Sequence, residues 1–317
     1  MLLLSKDDTR KALPFAELIE ALEGIFKTGC EMPVRHHHDM AVPGEADATM
    51  LLMPAWVPGK YAGVKIVNVV PGNATRGLPA VAAEYLLSNA GTGEMLALID
   101  GGELTARRTA AASALAARYL ARSDASHLVI AGSGRVAYNL VGAHMAVRPI
   151  TRVTFWGRNL DKARLAAGEA GKQFRVTCDA TADLEAAVSA ADIVSAATLS
   201  EDPLIRGEWL RPGTHVDLVG AFKPTMRESD DEAIRRACVF VDTMDGCTKE
   251  GGDIVQPLRS GVLKTEDIKA DLYDLARGKH AGRSSDDQIT LFKSVGAALE
   301  DLAGAMLAYE THRGASI

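Results

Sequence analysis

His127 to Leu140 reads HLVIAGSGRVAYNL, and this stretch decides the fold of the chain. Leu128 to Ile130 is a short apolar run typical of a strand buried on both faces, and Gly132 to Ala137 follows as G-x-G-x-x-A. The first glycine permits a tight turn, the second lets the backbone approach a pyrophosphate, and the alanine lets the next helix pack closely on the strand. The pattern predicts a dinucleotide-binding turn. A purely structural turn between strand and helix stays open at this point.

Further strands and helices alternate after this turn. A strand over Arg152 to Trp156 (RVTFW) and a helix over Leu160 to Lys172 follow at the spacing of a βαβ unit. We expect three more strands, at Asp192 to Ala196, His215 to Gly220 and Val239 to Asp242, and two more helices, at Leu184 to Ala191 and Asp230 to Ala237. This alternation predicts a Rossmann-type, doubly wound α/β sheet domain.

The N-terminal part has a different pattern. Ser5 and Asp8 suit a capping box, and an amphipathic helix follows Pro14 and ends at Gly29. Four strands, at Ala48 to Trp56, Tyr61 to Val70, Val81 to Ser88 and Glu94 to Ile99, then indicate a mostly antiparallel sheet. We therefore predict an α/β protein whose Rossmann domain is inserted in an N-terminal α+β domain.

An alanine-rich helix from Gly102 leads out of the N-terminal sheet, which places the domain boundary near residue 120. An apolar helical stripe between Val295 and Tyr309 is expected to return to the first domain. The first domain is thus predicted over residues 1–120, completed by residues 295–317. The Rossmann domain is predicted over residues 121–294.

Composition narrows the classes of function. The 317 residues are 47% hydrophobic and 24% charged with a net charge of -6, which is the balance of a soluble globular protein. No block of lysine and arginine marks a nucleic-acid or polybasic membrane surface, and no stretch resembles a signal peptide or a membrane span. The four cysteines lack C-x-x-C spacing, so reduced thiols are expected. We predict a cytoplasmic protein that acts on small molecules.

The end of the second Rossmann strand bears on the choice of cofactor. An acid there bonds the ribose 2′-hydroxyl of NAD, but this chain has Trp156-Gly157-Arg158-Asn159 instead. Arg158 could form a charge-assisted contact with the 2′-phosphate of NADPH. A surface arginine with no ligand is the alternative. NADPH is the expected cofactor, with NADH also possible.

Cations in apolar surroundings are the candidates for substrate binding. Lys65 lies in an otherwise apolar strand, and Arg108 lies beside Thr109 in the alanine-rich helix, where small neighbours leave room for a ligand. Either could instead be a cation whose charge reaches solvent. The run from Arg35 to Asp39 contains His36, His37 and His38, but adjacent histidines point in different directions and no second ligand cluster exists, so no metal is expected.

Several segments, taken in order, resemble the ornithine cyclodeaminase and mu-crystallin family across nearly the whole chain. They are PVRHHH (Pro33 to His38), GVKIVNVVPGN (Gly63 to Asn73), LTARRTAA (Leu104 to Ala111), AGSGRVA (Ala131 to Ala137), EGGDI (Glu250 to Ile254) and ITLFKSVGAALEDL (Ile289 to Leu302). The resemblance implies a homodimer built through the N-terminal sheet domain and an active site in the cleft between the domains. It also implies that Arg35, Lys65 and Arg108 hold the carboxylate of a small amino or imino acid beneath a nicotinamide.

Residues expected at the cofactor are Gly132, Ser133, Gly134, Arg135, Val136, Arg158, Asn159, Thr198, Thr109 and Ser294. Cyclodeaminases of the family resemble one another in an aspartate after a glycine pair, where this chain has Gly220-Ala221-Phe222. Phenylalanine cannot carry a proton, which puts ornithine cyclodeamination in doubt. The segment from Ala221 to Glu228 (AFKPTMRE) instead resembles the ketimine reductase branch.

The expected function is therefore NADPH-dependent reduction of a cyclic imino acid. The leading reaction is 1-pyrroline-2-carboxylate to L-proline, with 1-piperideine-2-carboxylate to L-pipecolate as a second. Lys65 and Arg108 are the expected catalytic residues, and Phe222 is expected to accept the ring methylenes. The alternatives are an ornithine cyclodeaminase, an alanine dehydrogenase, or a mu-crystallin-like protein that holds NADPH without turnover.

Overall fold

The glycine-rich turn follows β7 (His127–Ala131), an inner strand of a parallel sheet of eight strands in the order β13-β12-β14-β11-β10-β7-β8-β9. The structure is a computed structural model that describes residues 1–314, with residue 74 described for its backbone only. β7 pairs with β8 on one side and with β10 on the other, so its apolar run is buried on both faces, as predicted. The Rossmann-type doubly wound sheet is confirmed.

The strands and helices of this sheet unit alternate along the chain. They are β7 (His127–Ala131), α4 (Arg135–Met145), β8 (Arg152–Trp156), α5 (Leu160–Phe174), β9 (Thr177–Thr181), α6 (Leu184–Ala190), β10 (Ile193–Ala196), β11 (His215–Leu218), α7 (Asp231–Arg236), β12 (Cys238–Val241), α8 (Met244–Glu250), α9 (Gly252–Ser260), β13 (Ala270–Asp271), α10 (Leu272–Ala276) and β14 (Thr290–Lys293).

Three strands of this sheet were not predicted, namely β9, β13 and β14. β9 reads TCDAT and lies at an edge of the sheet, where a polar strand is tolerated, and β13 has only two residues. β14 reads TLFK, and its charged last residue is buried, which breaks the apolar pattern that marks a central strand. Each therefore lacks the local signal on which sequence reasoning depends.

The other sheet has six strands in the order β1-β6-β5-β4-β3-β2, and only the β1–β6 pair is parallel. Its elements are β1 (Leu2–Leu4), α1 (Lys6–Ala12), α2 (Phe15–Thr28), β2 (His36–Met40), β3 (Ala48–Val57), β4 (Tyr61–Val69), β5 (Val81–Asn89), β6 (Met95–Asp100), α3 (Gly101–Leu120) and α11 (Ala298–Gly314). The mostly antiparallel sheet is confirmed. β1 and β2 were missed, because β1 is very short and β2 is an exposed run of polar residues.

Residues close in sequence determine where the first two helices of this unit begin or end. Ser5 and Asp8 form the predicted capping box of α1, and Gly29 ends α2 with a φ of 79°, a conformation that glycine adopts without strain. The C-terminal helix α11 packs on α2 and on the strands β3 and β4.

The backbone groups into two compact units. One contains Met1–Arg108 and the chain from Ala298 onward, and the other contains Thr109–Ala297. The observed division, between Arg108 and Thr109, falls within α3. The boundary expected from the sequence, near residue 120, lies at the end of the same helix. Residues 315–317 of the predicted C-terminal segment lie outside the described residues. Within the part of the chain that the structure describes, no helix is long and apolar enough to cross a membrane.

Candidate active site

Lys65 is held at the centre of the first unit by a buried carboxylate. Its position in β4 turns its side chain to the face of the sheet on which α11 packs, and only 3% of the residue is exposed. The ammonium Nζ lies 2.7 Å from Oδ2 of Asp301 in α11 and donates a longer hydrogen bond, of 3.4 Å, to Oγ1 of Thr105. The charge that the strand pattern singled out is therefore paired within the protein, as burial requires.

Arg108 meets the same carboxylate from the other side. Its Nε donates to Oδ1 of Asp301 at 2.8 Å, and its Nη1 donates to Oε2 of Glu300 at 2.5 Å. Gly304 allows α3 and α11 to approach, because a Cβ there would lie 2.7 Å from Cδ1 of Leu104. The space that small residues leave around Arg108 is thus partly filled by acids from α11. Asp301 holds both predicted catalytic cations at fixed positions.

The charges of this cluster shift one another's pKa values. Burial lowers the pKa of Lys65 to about 8, Arg108 and the half-buried Arg35 also lower it, and Asp301 opposes them. Burial acts to raise the pKa of Asp301, but Arg108 and Lys65 outweigh it and the net pKa is lowered. Two cations, Lys65 and Arg108, thus meet two carboxylates, Asp301 and Glu300, and a third cation, Arg35, lies near enough to affect the Lys65 ammonium. Lys65 and Arg108 are the groups of this cluster that could bind a small carboxylate.

Tyr85 borders the cluster on the neighbouring strand, directly opposite Lys65. Its side chain is fully buried, and its hydroxyl has no hydrogen-bond partner among the described residues. Burial and the nearby Asp301 raise the pKa of Tyr85 well above its ordinary value, so the hydroxyl stays protonated. Gly63 leaves room for this ring, since a Cβ there would lie 2.4 Å from the Tyr85 hydroxyl oxygen.

The glycine-rich turn of the second unit fits a dinucleotide. Gly132 has a φ of 131°, and a Cβ there would lie 2.7 Å from the carbonyl oxygen of Ala197. Gly134 is the N-cap of α4, has no side-chain cap, and has open space where a Cβ would stand. Ser133, Arg135 and Val136 complete the turn. The N-terminus of α4 therefore presents unpaired backbone N–H groups to an anion such as a pyrophosphate.

Arg158 and Asn159 follow β8, as predicted. Asn159 caps α5, and its Oδ1 accepts a hydrogen bond from the backbone N–H of Lys162 at 3.0 Å. Arg158 is exposed, and no side chain within residues 1–314 forms an ion pair or hydrogen bond with its guanidinium. Arg158 is therefore available to an anionic ligand, whereas the side-chain oxygen of Asn159 is already used to cap α5.

The remaining predicted residues lie in different surroundings. Thr198 follows β10, and both its backbone N–H and its hydroxyl donate to Oε1 of Glu228. Ser294 is buried, and its hydroxyl donates to Oδ2 of Asp242 at 3.0 Å. Thr109 is half-buried in α3, and Phe222 is 47% exposed. The Phe222 ring is thus open to a ligand, and the two hydroxyl groups are already engaged by buried acids.

Sequence reasoning missed the acids that organise both units. Glu300 and Asp301 interrupt the apolar stripe of α11, and acids on such a face need buried cations. That interruption was a usable signal. Glu228 lies in a loop, where nothing in its local pattern marks it as fully buried.

The three histidines lie on β2, an exposed strand. The rings of His36 and His38 lie on the same side at 6.3 Å, and the alternation of a strand turns His37 away from them. Among residues 1–314 no group of three or more His, Cys, Asp or Glu side chains is placed to hold a metal ion.

The parallel sheet and its glycine turn define the class, an α/β protein with a Rossmann-type domain. The profile of the ornithine cyclodeaminase/mu-crystallin family matches residues 1–316, and the chain belongs to that family. A delta(1)-pyrroline-2-carboxylate reductase of Paracoccus denitrificans is 42% identical over 301 residues, which are 94% of this chain and 93% of that protein.

Two solved structures share the fold over the whole of this chain. Thermococcus litoralis delta(1)-pyrroline-2-carboxylate reductase, in complex with NADH and L-proline, superposes with a TM-score of 0.93 at 35% identity, over 100% of this chain and 99% of its own. An archaeal alanine dehydrogenase dimer with bound NAD superposes with a TM-score of 0.90 at 30% identity, over 100% of this chain and 97% of its own. The predicted family is confirmed.

Replacing Asp301 tests whether its carboxylate holds the cluster. Asp301→Asn leaves Lys65 and Arg108 buried with one carboxylate fewer, and we expect the free energy of unfolding to fall by about 3 to 5 kcal/mol. Urea denaturation at pH 7 followed by circular dichroism measures it. Glu310→Gln in the same helix is the control, because Glu310 is exposed and accepts a hydrogen bond from the Tyr61 hydroxyl at the surface. Equal losses in the two variants would contradict the central role of Asp301.

Proposed function

We propose that this protein reduces a cyclic imino acid with a nicotinamide cofactor, and that 1-pyrroline-2-carboxylate, reduced to L-proline, is its main substrate. The observation that carries the proposal is the buried cluster in which the Asp301 carboxylate holds two cations, Lys65 and Arg108, side by side. A small carboxylate suits that cluster. The names of the Paracoccus and Thermococcus relatives support the same substrate.

In this proposal the chain's own residues bind and orient the substrate. Arg35, Lys65 and Arg108 hold the carboxylate, and Asp301 fixes the last two by ion pairs at 2.7 and 2.8 Å. When bound, a reduced nicotinamide supplies the hydride for the imine carbon. A cyclic imine arrives largely protonated, so the site needs no strong general acid, and the Lys65 ammonium can assist near neutral pH.

Phe222 argues for a reductase rather than a cyclodeaminase. Cyclodeamination of ornithine requires a group that moves protons at the substrate nitrogen, and a phenyl ring has none. The exposed Phe222 ring can instead pack against ring methylenes of an imino acid. The same contact would accommodate the larger ring of 1-piperideine-2-carboxylate, so we propose L-pipecolate as a second product.

A substrate panel tests the proposal. We expect steady NADPH oxidation, followed at 340 nm, with 1-pyrroline-2-carboxylate and a slower rate with 1-piperideine-2-carboxylate. Pyruvate with ammonia tests for an alanine dehydrogenase, and ornithine with NAD, with ammonia and proline measured, tests for a cyclodeaminase. Efficient turnover of ornithine would contradict the proposal, as would binding of NADPH without turnover of any substrate.

Arg158 underlies the proposed preference for NADPH. Loss of a charge-assisted contact costs about 1.5 to 3 kcal/mol, so Arg158→Ala should weaken NADPH binding roughly ten- to a hundredfold and NADH binding much less. Cofactor fluorescence titrations measure both affinities. Arg164→Ala is the control, because Arg164 is an exposed arginine of α5 that forms an ion pair with Asp161. Equal affinity of the unmodified protein for NADPH and NADH would exclude the assignment.

The Lys65 pKa predicts a pH dependence of carboxylate binding. A group with a pKa of about 8 is charged below that pH and loses its proton above it. Pyrrole-2-carboxylate is a suitable probe, since its ring nitrogen is not basic, and its inhibition constant should rise by up to about tenfold per pH unit above pH 8. Lys65→Arg keeps the charge and should flatten the profile. An unmodified protein with no change between pH 7 and 9.5 would contradict the role of Lys65.

We also propose that the chain forms a homodimer through its six-stranded sheet. The face opposite α11 carries half-exposed apolar residues on adjacent strands, namely Leu52, Pro54, Val64, Ile66, Leu86 and Leu98. Such a continuous apolar face favours a second copy of itself across a twofold axis. The archaeal alanine dehydrogenase of the same fold is described as a dimer.

A lysine in the middle of that face should separate the copies. Ile66→Lys should give a monomer by light scattering, because the interface would bury an unpaired ammonium group from each copy. Leu165→Lys is the control, since Leu165 is 63% exposed on a helix of the other unit. Ile66→Lys protein that remains dimeric, or unmodified protein that is monomeric, would exclude this interface.

A further inference from the structure

Glu228 is a fully buried acid that binds two separate segments of the second unit. Its Oε1 accepts from the backbone N–H and the hydroxyl of Thr198, at 2.7 and 2.8 Å. Its Oε2 accepts from the backbone N–H groups of Gly220 and Ala221, at 2.7 and 3.2 Å. Each oxygen therefore serves a different segment, and the carboxylate joins the two.

The two segments leave the sheet at the edge where ligands of such sheets bind. Thr198 follows β10, and Gly220 to Phe222 follows β11, which is the neighbouring parallel strand. Ligands of open parallel sheets bind beyond the carboxyl ends of the strands. A Cβ on Gly220 would lie 1.9 Å from the carbonyl oxygen of Thr198, so the segments are in direct contact. Their relative position is set at Glu228.

Other charges hold Glu228 itself in place. Its backbone N–H donates to Oδ1 of Asp253 at 2.8 Å, and Oδ2 of Asp253 lies 3.1 Å from Nζ of Lys293. That ammonium lies 4.0 Å from Oε2 of Glu228. Burial raises the pKa of Glu228 to about 7, against the effects of Lys293 and Thr198. Burial of a carboxylate costs free energy because it removes the charge from water. A buried acid with hydrogen-bond donors on both oxygens is therefore best explained by a role in positioning those donors.

The segment that carries Phe222 is anchored at its other end as well. Gln256 Nε2 donates to the carbonyl oxygen of Pro224 at 2.9 Å. The backbone N–H of Arg227 donates to the carbonyl oxygen of Ser200, also at 2.9 Å. Gly252 packs beneath the segment, since a Cβ there would lie 1.9 Å from the carbonyl oxygen of Met226. Phe222 is thus an exposed ring on a fixed loop.

We propose that Glu228 is a positioning residue that fixes the cofactor-side Thr198 and the substrate-side Phe222 segment relative to each other. The inference rests on the proposed function, in which these two segments contact cofactor and substrate. In this role Glu228 acts through backbone N–H groups and the Thr198 hydroxyl, and it contacts neither ligand itself. Its loss therefore weakens both binding events while the hydride-transfer chemistry stays the same.

Glu228→Gln is the direct test, because an amide has one accepting oxygen and its NH₂ must face one pair of donors. We expect the Kd of NADPH and the KM of the imino acid each to rise roughly tenfold or more, with kcat changed less. Hydrogen exchange at the amides of Thr198, Gly220 and Ala221 should accelerate. Glu228→Asp keeps the charge but reaches only one segment, so it should raise the same constants to a smaller extent.

Asp192→Asn is the matched control. Asp192 is a buried acid at the opposite edge of the same sheet, and its Oδ2 accepts from the backbone N–H groups of Ser126 and His127 at 2.9 and 3.0 Å. Its removal should lower the melting temperature and leave the NADPH affinity and KM unchanged. Fluorescence titration of NADPH needs no turnover, so an unmodified protein that binds no nicotinamide cofactor would refute the proposed function rather than the role of Glu228.

The result that overturns the role of Glu228 is an unmodified protein that binds NADPH and a Glu228→Gln variant that binds it equally well. Equal changes of both constants in Glu228→Gln and Asp192→Asn would show a structural role shared by any buried acid, and would also overturn it. Failure of both Glu228 variants to fold would have the same meaning.

Discussion

The Asp301 carboxylate is the interaction on which the first unit depends. It accepts both Lys65 and Arg108 in a fully buried position, and it thereby joins β4, α3 and α11. Buried ion pairs are often no more stabilising than apolar residues of the same volume, because desolvation offsets their attraction. Stability alone is therefore a weak reason to keep such a cluster in the core. Asp301 fixes the two cations that, in our proposal, bind the substrate carboxylate.

The second unit uses a buried acid in a comparable way. Glu228 satisfies donors from the segments after β10 and β11, so loops that would otherwise move independently have one arrangement. The glycine turn after β7 needs no such acid, because Gly132 and the open N-terminus of α4 shape it through the backbone alone. In our account, acids position the groups around the reacting carbon, and the backbone holds the cofactor phosphates.

Much of the fold could be predicted because its signals are local. The turn from Gly132 to Gly134, the amphipathic helix before Gly29 and the strand around Lys65 each carry a complete pattern within a few residues. Glu300 and Asp301 could have been recognised as buried acids, but the cations with which they pair could not be found in this way. Asp301 lies far along the chain from Lys65, and only the folded sheet and the return of α11 bring them to 2.7 Å. The family resemblance implied that the cations bind a carboxylate, but it did not identify Asp301 and Glu300 as their partners.

The most direct test of the account follows the hydrogen that is transferred. The protein would be incubated with 1-pyrroline-2-carboxylate and NADPH that carries deuterium on one or the other face of nicotinamide C4, and the proline product examined by NMR and mass spectrometry. If hydride passes from nicotinamide C4 to the imine carbon, one of the two labelled cofactors should give L-proline with one deuterium at the α-carbon. Proline without deuterium at that carbon from either cofactor, or no proline at all, would contradict it.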